Sequence, residues 1–297
     1  MTEKETQFTT VVVPLDGSDF AAQALPVAVA LASASNAGLR LVGIAHDEGQ
    51  LAWVQRHVHG AARQVASTSA PEVDVILDPD PARVLLGVAA DGSKVLCFAS
   101  HDYGRVAAKV MHSVGSAIIA RASHPVVVAG AHAAQSSWAT DVVVAVDGVN
   151  DPQPLLATAS GWARRMQAPL RIVTVYEPVP ADLNRPTHFT RHHGPPGDPD
   201  EYLEAIQRHA DQHGLASTST ASIADPISVA SGIVEHLASR PARLLVAGAS
   251  HHVGPHFGPG AGTLRDLLRT VPAPVLVDPR HDRGARRGSD VQPGRRP

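Results

Sequence analysis

Along the chain, short β-branched apolar runs alternate with longer segments whose apolar residues recur at helical spacing. Residues 11–15 (Val-Val-Val-Pro-Leu) are continuously apolar, the pattern of a strand covered on both faces. Residues 21–35 are alanine-rich with helical spacing and predict a helix. Residues 40–45 and 73–77 predict a second and a third strand, and Asp80-Pro81 then opens a helix with proline near its first turn. Residues 95–100 predict a fourth strand, followed by a loop, a helix to about Ala122 and a fifth strand over 126–129. This alternation predicts a parallel sheet with helices on both faces. Right-handed crossovers make such a sheet doubly wound. It binds ligands beyond the carboxyl ends of its strands, where the strand order reverses.

The pattern occurs twice. Thr10-Val11-Val12-Val13-Pro14-Leu15-Asp16-Gly17 returns 131 residues later as Asp141-Val142-Val143-Val144-Ala145-Val146-Asp147-Gly148, and Leu39-Arg40-Leu41-Val42 returns at the same spacing as Leu170-Arg171-Ile172-Val173. Ala99-Ser100-His101 matches Ala249-Ser250-His251, and Pro125-Val126-Val127-Val128 matches Pro274-Val275-Leu276-Val277. These later blocks lie 150 and 149 residues apart, which places extra residues in the second copy, mostly around 178–205. Such a repeat sets the architecture before any local reading does. The expected class is α/β, with two tandem doubly wound domains, each a five-stranded parallel sheet with helices on both faces. The first domain is expected over 1–131, a small polar linker over 132–139 and the second domain over 140–279. Residues 178–200, rich in proline, histidine and glycine, read as a long surface loop. The arginine- and glycine-rich tail over 280–297 cannot bury a core and reads as disordered.

Composition narrows the function. A net charge of −3 supplies no global basic field, so neither nucleic acid nor a membrane surface is an expected partner. No apolar run is long enough to span a bilayer, and the polar start of the chain does not read as a secretory signal. Cys97 is the single cysteine, which excludes an internal disulfide framework and fits a reducing, cytoplasmic setting. Within the fourth strand it reads as buried and inert. His251, His252 and His256 cluster, but Pro255 keeps a helix from presenting two of them on one face, so no metal site is expected. The sequence contains no HExxH, GxSxG or Walker A motif.

Two segments could carry chemistry. Pro14-Leu15-Asp16-Gly17-Ser18 and its repeat around Asp147 put a carboxylate at the carboxyl end of the first strand of each copy. That carboxylate could accept hydrogen bonds from a ribose hydroxyl or an adenine amine, or it could cap the following helix. The second segment is the loop after the fourth strand. It runs from Ala99-Ser100-His101-Asp102 to His112-Ser113-Val114-Gly115 in the first copy, and from Gly248-Ala249-Ser250-His251 through Gly254 to Gly262-Thr263 in the second. A phosphate cradle needs close backbone approach and free N–H groups at a helix start. The second copy has the glycines, but Pro255 and Pro259 remove donors; the first copy has few glycines and a repelling Asp102. A lone glycine-rich loop of this kind is more often a plain flexible connection.

The first copy's PLDGS turn with LCFASHDYGR…HSVGSAIIARASHPVVV, and the second copy's LLVAGASHHVG…GTLRDLLRTVPAPVLV, resemble the universal stress protein family. That resemblance implies a strand order of 3-2-1-4-5 in each copy and, in many members, binding of ATP. It also implies fifth strands that pair across a dimer, a contact a tandem chain could make internally through 126–129 and 275–277, as an intramolecular pseudo-dimer. A homodimer of tandem chains remains open as a further state. Carried over, the family site falls on Pro14, Leu15, Asp16, Ile44, Ala99, Ser100, Ser113 and Val114 in the first copy. In the second it falls on Ala145, Val146, Asp147, Val175, Gly248, Ala249, Gly254, Gly262 and Thr263. Ile44 and Val175 occupy the adenine-side position. The phosphate half departs from the family, since Ala99, Asp102 and His112 replace glycines in the first copy and His251 replaces one in the second. The resemblance implies a cytoplasmic stress-response module for an adenine nucleotide, ATP with Mg, acting through conformation or an unknown protein partner and not as an enzyme. The alternatives are an interaction protein with closed pockets and a weak ATPase or AMP-transferring enzyme.

Overall fold

A computed structural model describes residues 8–66, 70–99, 109–130, 132–133, 141–148, 150–178, 197–212, 219–249 and 259–279, the side chains of 109–113, 212 and 259–261 excepted. The first half runs β1 (Thr10–Leu15), α1 (Asp19–Ala22), α2 (Ala24–Ala34), β2 (Gly38–Ala45), α3 (Glu48–Val65), β3 (Glu72–Leu77), α4 (Pro81–Val88), β4 (Lys94–Ala99), α5 (Lys109–Arg121) and β5 (Val126–Ala129). The second half runs β6 (Asp141–Ala145), α6 (Gln153–Arg165), β7 (Leu170–Tyr176), α7 (Pro199–Gln212), β8 (Ser219–Ala224), α8 (Val229–Ser239), β9 (Ala242–Gly248), α9 (Pro259–Thr270) and β10 (Val275–Asp278). The helix expected over 21–35 is broken at Gln23 into α1 and α2. The helix α7 begins at Pro199, inside the stretch read as loop up to 200. The remainder of that loop, most of the linker and the tail lie outside the described residues.

The strands form one mostly parallel sheet in the order β3-β2-β1-β4-β5-β10-β9-β6-β7-β8. A five-stranded sheet was expected in each half; the two halves join into one sheet of ten strands, through the contact between fifth strands that the family resemblance implied. They merge because β5 and β10 pair antiparallel, Val126 opposite Val277, Val127 opposite Leu276 and Val128 opposite Val275. Each of these short, fully buried strands would otherwise present an open row of backbone donors and acceptors at a sheet edge. A close backbone approach follows directly. A Cβ on Gly130 would lie 2.5 Å from the Leu268 carbonyl oxygen, so only glycine lets the chain leave β5 against the end of α9. Away from the seam, Phe8 ahead of β1 stacks on Trp162 of α6, ring centroids 4.7 Å apart, and the Arg165 guanidinium lies 4.4 Å above the Phe8 ring.

Side chains alternate across the sheet with the period-2 pleat. Val11 and Val13 join the core under α2, α3, α6 and α7, whereas Val12 joins the core under α4, α5, α8 and α9. Each apolar layer continues across both halves. The starts of α1, α3, α4 and α8 are capped by side chains the sequence supplies in place. The Ser18 hydroxyl accepts from Ala21 N, Asp47 from Gln50 N, Asp80 from Arg83 N, and Ser228 from Ser231 N.

The amino ends of β6 and β7 hold a charged cluster. Arg171 is fully buried; its Nη2 donates to the Arg240 carbonyl, and its Nε lies 3.6 Å from Asp141. Arg240 reaches the same carboxylate at 3.3 Å. His236 of α8 faces this pair of guanidinium groups with a buried Nε2 that has no hydrogen-bond partner among the described residues. Burial, then Arg171, then Arg240 hold its imidazolium below the usual histidine range.

Candidate functional site

The strand order reverses between β1 and β4 in the first half and between β6 and β9 in the second. The crevice of each half therefore opens beyond the carboxyl ends of those strands. Buried Pro14 and Leu15 lead the chain to Asp16 at this edge. The Asp16 Oδ1 accepts from the Ser18 backbone N at 2.9 Å and from the Ser18 hydroxyl at 2.6 Å, while that hydroxyl caps α1. Its Oδ2 has no hydrogen-bond partner among the described residues. Of the two roles expected for Asp16, capping of the following helix falls to Ser18 instead; Asp16 braces that residue through Oδ1.

Gly17 adopts φ +82°, a left-handed conformation that glycine takes without steric cost. A second demand falls on the same residue. A Cβ there would lie 2.3 Å from Cη2 of Trp53, whose six-membered ring abuts the turn. Trp53 arrives on α3 because that helix sits close to β2: a Cβ on Gly43 would lie 2.6 Å from methyl carbons of both Val54 and Val58. His57, one turn on, packs against the indole with ring centroids 4.1 Å apart, and its Nδ1 lies 2.7 Å from the Trp53 carbonyl oxygen. The indole is braced on two sides and still 41% exposed.

The second half repeats the geometry with different contents. Gly148 is again left-handed at φ +73°, and Asp147 before it is engaged by Asn150. Oδ1 accepts from the Asn150 backbone N at 3.0 Å and Oδ2 from its side-chain amide at 2.6 Å. The aromatic residue over this turn is Tyr202 of α7. Burial first, and the Asp147 charge second, push its hydroxyl up to about 12, against a smaller downward pull from the Gly148 N–H. The Gly148 N–H faces the hydroxyl without the geometry of a full hydrogen bond, so the buried oxygen has no such partner among the described residues. Val175, the expected adenine-side residue, is covered by α8: a Cβ on Gly232 would lie 2.9 Å from its Cγ1.

The remaining expected residues divide by position. Ile44 is the last residue but one of β2, Ala99 closes β4, and Val114 packs from α5 into the same apolar layer as Ile44. Ala145 closes β6 and Gly248 closes β9, with buried Val146 and Ala249 just beyond. Gly262 and Thr263 lie in α9, and a Cβ on Gly262 would meet open space. Ser100, Gly254 and the side chain of Ser113 lie outside the described residues, as do Asp102 and the histidines of both loops after the fourth strands. Among the described residues, no three metal-ligating side chains converge. Trp53 and Tyr202 were not anticipated. They fall in the unmatched stretch between the repeat's blocks, and the available signal was an aromatic residue near the start of the helix after the second strand in a chain with 4% aromatics.

Residues 140–279 match the model of the universal stress protein family. No curated protein matches the chain significantly. Among solved structures, a universal stress protein from Archaeoglobus fulgidus DSM 4304 superposes with a TM-score of 0.63 at 14% identity, covering 94% of this chain and 98% of that one. A putative universal stress protein from Pseudomonas aeruginosa UCBPP-PA14 superposes with a TM-score of 0.55 at 14% identity, covering 92% and 93%. These likenesses show a shared fold over both halves.

Proposed function

With residues 140–279 carrying a universal stress protein family domain and the first half repeating its fold, we propose that the chain is a stress-response binding module for an adenine nucleotide, occupied in its first half. It acts through conformation or a protein partner in the cytoplasm, without turnover. The observation that carries this reading is Asp16, a half-buried carboxylate at the reversal of strand order with one oxygen free of partners among the described residues. Such an oxygen suits a ribose hydroxyl or an exocyclic amine, the donors a nucleoside presents at a crevice of this kind. ATP with Mg is the candidate ligand.

The second half serves a different role in this proposal. Asn150 takes both oxygens of Asp147, Tyr202 lies over the turn, and Gly232 brings α8 against Val175. This half is the closed, structural partner of the first. Thermal unfolding with Mg-ATP, ADP, AMP or GTP tests both statements. At free nucleotide about 100 times the dissociation constant, the ligand adds about 2.7 kcal/mol of stability and raises the midpoint by several degrees. Asp16→Ala is expected to abolish the shift and Asp147→Ala to leave it unchanged. The same midpoint with every nucleotide would reject the reading.

A further inference from the structure

We propose that Trp53 is a stacking wall for the planar ring of a ligand bound in the first half; this rests on the nucleotide reading above. The ring stands at the ligand end of the sheet, with its six-membered edge on Gly17, the residue next to Asp16. Its position is fixed from behind. Gly43 lets α3 close on β2, His57 packs on the indole, and Asp47 caps the helix that carries it. Trp162, packed inside the core, is 2% exposed; Trp53, braced by Gly17 and His57, keeps 41% of its surface in solvent. The comparison between halves sharpens the point. Tyr202 over the matching turn tucks its hydroxyl inward beside Asp147 and Gly148. The half whose carboxylate keeps one oxygen without a partner among the described residues is thus also the half with the open aromatic ring. A rigid, exposed indole beside a hydrogen-bond acceptor is the pairing that recognises a nucleobase: the ring supplies affinity through its π-face and the acceptor supplies orientation.

Three variants separate stacking from simple cover of the turn. Trp53→Leu keeps an apolar cover and removes the π-face, Trp53→Phe keeps a smaller π-face, and Trp53→Ala removes both. ATP affinity is measured by calorimetry on the full chain. The expected result is a loss of about tenfold or more for Trp53→Leu and Trp53→Ala, with Trp53→Phe closer to the parent. In parallel, ATP should quench the tryptophan emission of the parent, and the quench should vanish in Trp53→Phe. Circular dichroism checks that each variant is folded. If the parent binds ATP and Trp53→Leu binds it equally well, the stacking role is overturned while the nucleotide reading stands. If the parent binds no nucleotide, both fall together.

Discussion

The Thr158 hydroxyl donates a 2.6 Å hydrogen bond to Oδ2 of Asp278, joining α6 to the end of β10 inside the core. The first half has no such pair: the matching positions are Val27 and Ala129, both buried and apolar. A buried carboxylate that loses a donor keeps its desolvation cost, whereas removing both partners relieves it. Thr158→Val is therefore expected to destabilise the fold by about 1–3 kcal/mol in urea denaturation. The double variant Thr158→Val/Asp278→Ala, which restores the chemistry of the first half, should lose less than the single one.

Gly17 carries two constraints at once, a left-handed backbone and the Trp53 ring against its Cα. Gly17→Ala must accept strain at φ +82° and displace the indole. A loss of roughly 1–3 kcal/mol is expected from the backbone conformation alone. Tryptophan emission should shift to the red as Trp53 is pushed outward. An unchanged spectrum with unchanged stability would mean that the turn re-forms in another conformation.

The charged cluster at the amino ends of β6 and β7 makes stability depend on pH. Burial, then Arg171, then Arg240 oppose protonation of His236 in the fold, whereas the unfolded chain takes up the proton near the ordinary histidine value of about 6.5. The unfolded state thus binds more protons below that value, and stability is full above it and declines as the pH falls beneath it. Urea midpoints measured at pH 7.5 and 5.5 should drop in the parent. In His236→Gln, which cannot charge, the drop between those two values should be smaller.

Cys97 is fully buried in β4, and burial pushes its thiol up to about 12. Since the thiolate is the reactive form, a thiol reagent at pH 8 should leave the native protein unlabelled. Labelling should reach one equivalent per chain in denaturant. Rapid labelling of the native state would show that β4 opens far more often than its burial implies.

The first, second, fourth and fifth strands were legible in the sequence because each is a short apolar run that recurs in the second half, whereas β8, Ser-Thr-Ala-Ser-Ile-Ala, carries no such run to match β3. The fifth strand was found at 126–129 with the bounds the structure gives, and the internal pairing of β5 with β10 was anticipated from the family resemblance. The antiparallel direction of that pairing was not legible, because it depends on contacts between segments about 150 residues apart. The break at Gln23 was also hidden, since the alanines on both sides of it favour helix equally. In the site, Asp16 and Asp147 read as equivalents from sequence, yet Ser18 engages one oxygen of the first and Asn150 both oxygens of the second. That difference lies in residues after the shared Asp-Gly pair. Trp53 and Tyr202 were missed because residues inserted in the second copy change their spacing from 131 to 149, so they do not align.

The antiparallel seam between β5 and β10 has a bearing on how this molecule can change over generations. In a symmetric homodimer, every substitution at the contact strand is imposed on both partners at once, and only self-complementary changes survive. Here the two strands are written separately in one chain, as Val-Val-Val-Ala and Val-Leu-Val-Asp. Either can mutate while the other holds the contact, and the crevice behind each is released to follow its own history.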